Sequence, residues 1–424
     1  MKMMLGRPAA ERVRPSSRAD RSKRGRRGMA RDCPAKHRRQ AVRRLGTLHP
    51  SPAEVLWSMR YLVTGCAGFI ASKVCEQLLA RPGNEVIGID SINDYYDVRL
   101  KHVRLAGLLG RPLGRSQGWK LKVRPGRPVR SRDGRFTFIQ ADTADRQALA
   151  KVFKLAQRKG RPPFDHVLNL AARAGVAPSR LRPVDYLRSN TEGVINVLEE
   201  MKATGCRSHV LASTSSAYGL GCEPPFREDQ PATRPISPYS ASKIAAELLC
   251  HSYWTNEGIR STVVRYFTVY GPAGRPDMSV FRFIEGVRRG TAITVTGDGK
   301  QNRDFTYVDD IARGTVLAAH RWKNAREGHR IINLGGGRRP TTINALISEI
   351  ERQVGAKDYV RLGDARDRSD MQSTQADRRK AQREIGWSPK VDLAEGLRRT
   401  VAWHRAHAEL CGNVNIGKAA AIRR

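Results

Sequence analysis

No stretch of this 424-residue sequence approaches about 18 consecutive apolar residues, so no transmembrane helix is expected. The basic amino-terminal segment has no apolar core and therefore does not read as a secretion signal. Cysteine is scarce: seven residues, an odd number, with no C-x-x-C pair. That excludes a disulfide framework and a zinc site and fits reduced thiols in a cytoplasmic protein; no metal is expected. Acidic residues are few, 40 Asp and Glu against 77 Lys and Arg, for a net charge of +37. Such a balance points to anionic partners, either nucleic acid or phosphate-bearing small molecules. No internal repeat is visible.

The positive charge is uneven. Residues 1–58 hold 16 basic and 4 acidic residues, and residues 110–135 hold 9 and 1. The first segment is rich in Arg, Pro, Ser and Gly without apolar periodicity, which predicts a disordered leader. Its Arg21–Arg27 tract has the composition of a nucleic-acid-binding patch. The plainer reading is a leader outside the fold, because Met59 stands directly before the first strand pattern. Residues 110–135 read as a basic surface insertion and residues 408–424 as a flexible tail.

Between these segments strands alternate with helices, which predicts a Rossmann-type doubly wound parallel α/β sheet over 59–266. The first unit is a short buried strand (60–64), a glycine-rich turn, a helical pattern through Leu79 and a second strand (85–90). In such a unit Gly65 permits the tight turn, and Gly68 lets the backbone approach a pyrophosphate at the helix N-terminus. Asp90, 25 residues beyond Gly65, would accept from the adenine ribose hydroxyls and repel a 2′-phosphate, favouring NAD over NADP. Asp142, at the end of the strand 136–140, can accept from the adenine amino group or cap the next helix. Small residues follow the strand 166–170. The strand 208–213 ends in Ser213-Thr214-Ser215-Ser216, where open α/β sheets bind ligands. After Phe267 the pattern becomes irregular, with short strands near 292–296 and 330–334 and several helices. This predicts a smaller mixed α/β lobe over 267–407, with segments returning to the first core.

Tyr239 and Lys243 are spaced i, i+4 behind Ser237 and Pro238, a helix start that sets both side chains on one face. A fixed ammonium beside a phenol favours the phenolate, so the pair can act as a general base toward an alcohol. An ordinary amphipathic helix shows the same spacing. The pair gains weight from the glycine turn, Asp90 and the hydroxyl-rich strand end in the right chain order.

Over about 59–405 these residues resemble the extended short-chain dehydrogenase/reductases that act on nucleotide sugars. The general features are Gly65-x-x-Gly68-x-x-Ala71, the Ser213–Ser216 turn, Tyr239-x-x-x-Lys243 and the run RDFTYVDD at 303–310. The NDYYD run at 93–97, RYFTVYGP at 265–272 and GRPDM at 274–278 are similar to the UDP-glucuronate 4-epimerase branch. The resemblance implies Tyr239 as base, Lys243 as its electrostatic partner and ribose anchor, and Thr214 as the hydroxyl shared with substrate. It implies Gly65, Gly68, Phe69, Ile70, Asp90, Asp142, Thr143, Ala171, Arg173 and Asn190, with Tyr239 and Lys243, around NAD. It implies Thr268, Arg275, Arg303 and Asp370 around the UDP-sugar. The hydroxyls of Thr214, Ser215 and Thr268 can donate to a sugar carboxylate without placing an acid beside it. Ser91, Asn169 and the RDRSD run at 366–370 depart from the family pattern.

The turn after the threonine also bears on the reaction. Sugar dehydratases of this superfamily carry an Asp-Glu pair there and uronic-acid decarboxylases a nearby glutamate, whereas this chain has Ser215-Ser216. Epimerisation at C4 is the chemistry left. The alternatives are a UDP-glucose 4-epimerase and, from another class, a nucleic-acid-binding protein that uses the basic leader on an inactive scaffold. A homodimer is compatible with either enzyme.

Overall fold

The structure is a computed structural model that describes residues 58–111, 113–322, 327–337, 340–355, 361–364 and 371–414. Residues 1–57 of the leader and Asp370 lie outside the described residues.

The first half follows the expected alternation. In chain order come β1 (Arg60–Thr64), α1 (Phe69–Leu79), β2 (Glu85–Asp90), α2 (Val98–Leu108), β3 (Val129–Arg130), β4 (Phe136–Gln140), α3 (Arg146–Leu155) and β5 (His166–Asn169). Then follow α4 (Val176–Leu181), α5 (Pro183–Leu187), α6 (Gly193–Thr204), β6 (Ser208–Thr214), α7 (Pro238–Glu257) and β7 (Arg260–Tyr266). The helix expected over about 185–203 is α5 and α6 joined by a π-turn at Arg188–Glu192.

The second half runs β8 (Thr268–Tyr270), α8 (Ser279–Arg289), β9 (Ile293–Thr296), β10 (Asn302–Arg303), β11 (Phe305–Tyr307) and α9 (Val308–His320). It continues with β12 (His329–Leu334), β13 (Thr341–Thr342), α10 (Ile343–Val354), β14 (Arg361–Asp364), α11 (Arg379–Ile385), α12 (Leu393–Ala406) and α13 (Ala408–Gly412).

The main sheet has the order β12-β7-β6-β5-β1-β2-β4-β3 and is parallel except for β3. The chain reverses direction across the sheet between β5 and β1, so the carboxyl ends of those strands open a crevice. One apolar cluster packs α1, α9 and α11 on one face, and another packs α3, α6 and α7 on the other. A third gathers α8, α10 and α12 with β9 and β11 into the second lobe.

Three expectations need refinement. Residues 408–412, expected within a flexible tail, form α13, because Leu410 and Cys411 bury against Tyr96, Leu100 and Phe281. The strand near 330–334 belongs to the main sheet as β12, parallel to β7, because Ile332 and Leu334 complete the buried sheet face. The 110–135 insertion is mostly exposed, but its end forms β3, an antiparallel edge strand on β4.

Candidate active site

The turn between β1 and α1 takes the form the glycines dictate. Gly65 has φ +73°, and a Cβ there would stand 2.9 Å from the Cα of Ala171. A Cβ on Gly68 would stand 2.8 Å from the Gly65 carbonyl oxygen. Both positions therefore exclude a side chain, and the amino end of α1 faces open space. Behind the turn, Thr64 Oγ1 donates to Asn169 Oδ1 (2.7 Å) and accepts from the Ala171 amide (2.9 Å). Asn169, one of the departures from the family pattern, serves to fix the turn to β5.

The wall of the crevice includes Gly65, Gly68, Phe69, Ile70, Asp90, Asp142, Thr143, Ala171, Arg173, Tyr239, Lys243 and Arg275. An elongated cleft with a glycine turn at a helix start and a buried carboxylate at the end of β2 fits a dinucleotide. Asp90 Oδ1 accepts from the Ile92 amide (2.7 Å) and lies 3.7 Å from Lys101 Nζ, with both side chains 7 % exposed. Lys101 was missed in the sequence, where it reads as one more base of a basic helix. Asp142 accepts from the Ala144 amide, while Asp145 caps α3, so Asp142 is not the helix cap.

Five predicted residues are not on this wall; two of them, Thr214 and Ser215, directly follow Ser213, which is. Asn190 is wholly buried behind the wall and holds the backbone of Arg173. Thr268 lines a small adjoining cavity that shares Phe69 and Arg275 with the crevice. Arg303 lines a separate cleft with Thr306, Thr341 and Asp392, because β10 pairs with β13 away from the main sheet. Asp304 accepts from the amides of Gly337 and Ala376. Arg275 is on the wall but ion-paired with Asp277 (2.6 Å), and it also donates to the Ala174 carbonyl (3.2 Å).

The Tyr239 helix is set by its cap. Ser237 Oγ accepts from the Ser240 amide (3.1 Å), Ser240 Oγ accepts in return from the Ser237 amide (3.2 Å), and Pro238 occupies the first turn. Gly258 ends α7 in the left-handed region. Tyr239 is half-buried on the crevice wall, with its hydroxyl bonded to Thr214. Ser215 follows Thr214 as the first residue of a short 3-10 turn, and Thr214 Oγ1 accepts from the Ser216 amide (3.1 Å).

The electrostatics differ from the expectation that Lys243 simply lowers the Tyr239 pKa. Burial holds the Tyr239 hydroxyl above its usual value, opposed by the Thr214 hydrogen bond and the Arg275 charge. Burial also pushes Lys243 down to about 8, opposed chiefly by Glu247. Desolvation outweighs the favourable influences on each group, because neither charged form is well solvated there.

Glu285, His404 and Cys411 place ligating atoms within 4.8 Å of one another. Arg288 already engages both Glu285 oxygens (3.2 and 2.7 Å), so this buried group is an ion-pair cluster. Among the described residues no helix is long and apolar enough to cross a membrane.

Known proteins share this arrangement. The sequence model of the NAD dependent epimerase/dehydratase family matches residues 61–335. A UDP-glucuronate 4-epimerase of Thermodesulfobacterium geofontis is 43 % identical over 359 residues, covering 84 % of this chain and 99 % of that one. UDP-glucuronate 4-epimerase 4 of Arabidopsis thaliana is 35 % identical, covering 82 % of this chain and 75 % of that one. Among solved structures, the UDP-glucuronic acid 4-epimerase of Bacillus cereus in complex with UDP-glucuronic acid and NAD has a TM-score of 0.68. It is 33 % identical, covering 82 % of this chain and 99 % of that one.

Proposed function

The chain belongs to the NAD dependent epimerase/dehydratase family, and from that premise we propose that it interconverts UDP-glucuronate and UDP-galacturonate by transient oxidation at C4. The cofactor is NAD, with residues 59–266 holding it and 267–407 holding most of the UDP-sugar. NAD, when bound, accepts hydride from the sugar C4 and returns it to the opposite face. Gly65, Gly68, Phe69 and Ile70 cradle its pyrophosphate, Asp90 takes the adenine ribose, and Asp142 and Thr143 border the adenine. Ala171 and Arg173 form the wall beside it.

Tyr239 takes the C4 hydroxyl proton and later returns it, with Thr214 sharing the hydrogen bond and Lys243 supplying the positive charge. The observation that carries the reading is the turn after β6. Thr214, Ser215 and Ser216 offer hydroxyls only, beside a tyrosine bonded to Thr214. Elimination needs an acid at this place. Oxidation at C4 makes the uronic acid a β-keto acid, which loses CO₂ when its carboxylate aligns with the carbonyl π system. Fixed hydroxyls from Thr214, Ser215 and Thr268 hold the carboxylate out of that alignment. A neutral hexose would leave those donors, of which Thr214 is buried, without the carboxylate they serve, which disfavours it. Arg275 faces the diphosphate, and Arg303, in the neighbouring cleft, serves the uridine side.

The enzyme works in the cytoplasm as a homodimer. Six described cysteines are free thiols, which suits a reducing compartment. Leu181, Val184, Leu187 and Leu248, on the mutually packed helices α4, α5 and α7, are 48–72 % exposed, as a helical interface between two copies requires.

The test is incubation of the purified protein with UDP-glucuronate and UDP-glucose separately, followed by sugar analysis. UDP-galacturonate with little UDP-pentose is expected. Faster turnover of UDP-glucose would make the protein a neutral-sugar epimerase, and a dominant UDP-pentose product would make it a decarboxylase.

A further inference from the structure

One carboxylate on the Tyr239 helix is built into the sheet rather than into the crevice. Glu247 lies one turn beyond Lys243 and two beyond Tyr239, so all three project from one face of α7. Its side chain is 4 % exposed. Arg265 on β7 grips it with both arms of the guanidinium, Nε to Oε1 at 3.1 Å and Nη2 to Oε2 at 2.6 Å. Ser213 on β6 donates to the same Oε1 through a short hydrogen bond. The sheet register sets Ser213 directly opposite Arg265, so Glu247 spans the two strands from above. Ser213 precedes Thr214, whose hydroxyl bonds Tyr239.

Its surroundings contain few other charges. From β12 His329 faces it, pushed down to about 4 by burial and so neutral above that pH. From the 3-10 turn the Tyr218 ring stacks under Arg265 at 4.6 Å, its hydroxyl held protonated by burial. On α7 itself the Cys250 thiol is pushed up to about 12 and stays neutral. From the far side of Tyr239, α5 brings the neutral Tyr186 ring at 6.1 Å, and the crevice wall brings Arg275. Glu247 and Arg265 are thus the fixed charges on the sheet side of Lys243.

We infer that Glu247 is a positioning residue of the site: it keeps the Lys243 ammonium charged in a buried setting and clamps the Ser213-Thr214 strand end that orients the Tyr239 hydroxyl. The inference rests on the epimerase reading for its effect on turnover, but its effect on Lys243 does not. Burial alone drives a lysine toward neutrality, and a nearby carboxylate opposes that. Without Glu247, Lys243 gives up its proton at lower pH, and the charge that steadies the Tyr239 phenolate is lost with it. A carboxylate that served only to satisfy Arg265 would affect folding and leave the titration of Lys243 where it was.

The experiment compares the full-length protein with Glu247→Gln and with Glu247→Gln/Arg265→Gln. The double variant removes both charges and so folds without an unpaired buried ion. Lysine side chains carrying ¹³C at Cε are titrated by NMR, and the Lys243 resonance is identified by its loss in Lys243→Met. In parallel, kcat for UDP-glucuronate is measured against pH. We expect the Lys243 midpoint and the alkaline limb of kcat both to move about one unit toward acid in Glu247→Gln, and by less in the double variant, where loss of the Arg265 cation offsets part of the effect. Turnover then falls about tenfold at alkaline pH and little at pH 6. An unmoved Lys243 midpoint in either folded variant, or a loss of turnover equal at every pH, would overturn the inference. Absence of turnover in the unmodified protein would count against the epimerase reading alone, because the lysine titration is read without it.

Discussion

Asn190 grips the backbone of Arg173 with both ends of its amide, accepting from the Arg173 amide at 2.8 Å and donating to its carbonyl at 2.9 Å. The same nitrogen donates to Ser242 Oγ at 3.0 Å, and Ser242 Oγ donates to the Tyr239 carbonyl at 2.7 Å. One buried side chain in the π-turn thus ties the crevice wall after β5 to the helix that carries Tyr239 and Lys243. Irregular helical turns of this kind recur at functional sites.

Asn190→Ala removes three hydrogen bonds and leaves buried groups of Arg173 unpaired. A stability loss of about 2–4 kcal/mol is expected, together with weaker retention of NAD. Denaturant unfolding and the nucleotide content after gel filtration measure the two effects. Unchanged nucleotide content would limit Asn190 to a structural role.

Tyr239→Phe keeps the ring and removes the hydroxyl that bonds Thr214. Turnover should fall by at least ~10²-fold, the lower range for a lost general base. NAD should still be released on denaturation, since the ring and Lys243 remain. Near-normal turnover would sink the assignment of the base.

Val184→Glu and Leu248→Glu each place a charge in the exposed apolar face of α5 and α7. Buried at an interface, an unpaired carboxylate is costly, so each variant should elute as a monomer at a concentration where the unmodified protein elutes as a dimer. Light scattering reads the mass directly. Unaltered mass in both variants would place any interface elsewhere.

Acid should destabilise the fold in a defined window. Burial depresses His166 and His329 to about 4 and His209 to about 3. The unfolded chain takes up these protons near its ordinary value of about 6.5. Folded values below unfolded ones mean that the contribution is fully present above about pH 6.5 and is lost as pH falls from there toward about 4. Tm should therefore drop between pH 7 and 5. His209→Gln, which can keep a hydrogen bond to Ser261, should make that drop shallower.

The sequence by itself determined most of the elements and the glycine-turn wall of the crevice. These features are local: a glycine turn whose φ only glycine adopts freely, an acid at a strand end, and a Ser-Pro helix start that puts residues i and i+4 on one face. The family motifs lie in such stretches, which is why the sequence alone singles out Gly65, Asp90 and Tyr239.

What the sequence could not supply was set by contacts between distant segments. Lys101 and Arg104 look like ordinary basic residues of α2, yet both are buried. Arg104 ties the first glycine turn to the second lobe through the carbonyls of Ala67, Ala273 and Gly274. Arg303 carries a family motif but faces a different cleft, because its strand pairs with β13. The protonation of Tyr239 and Lys243 was likewise beyond the sequence. Spacing brings the phenol and the ammonium together, but the burial created by the packed sheet raises one and lowers the other. The partner that opposes this for Lys243, Glu247, is held in place by Ser213 and Arg265, residues adjacent only across the strands. Local residue chemistry fixed which groups stand in the crevice; desolvation and cross-strand pairing, properties of the assembled tertiary structure, decided which of them are charged.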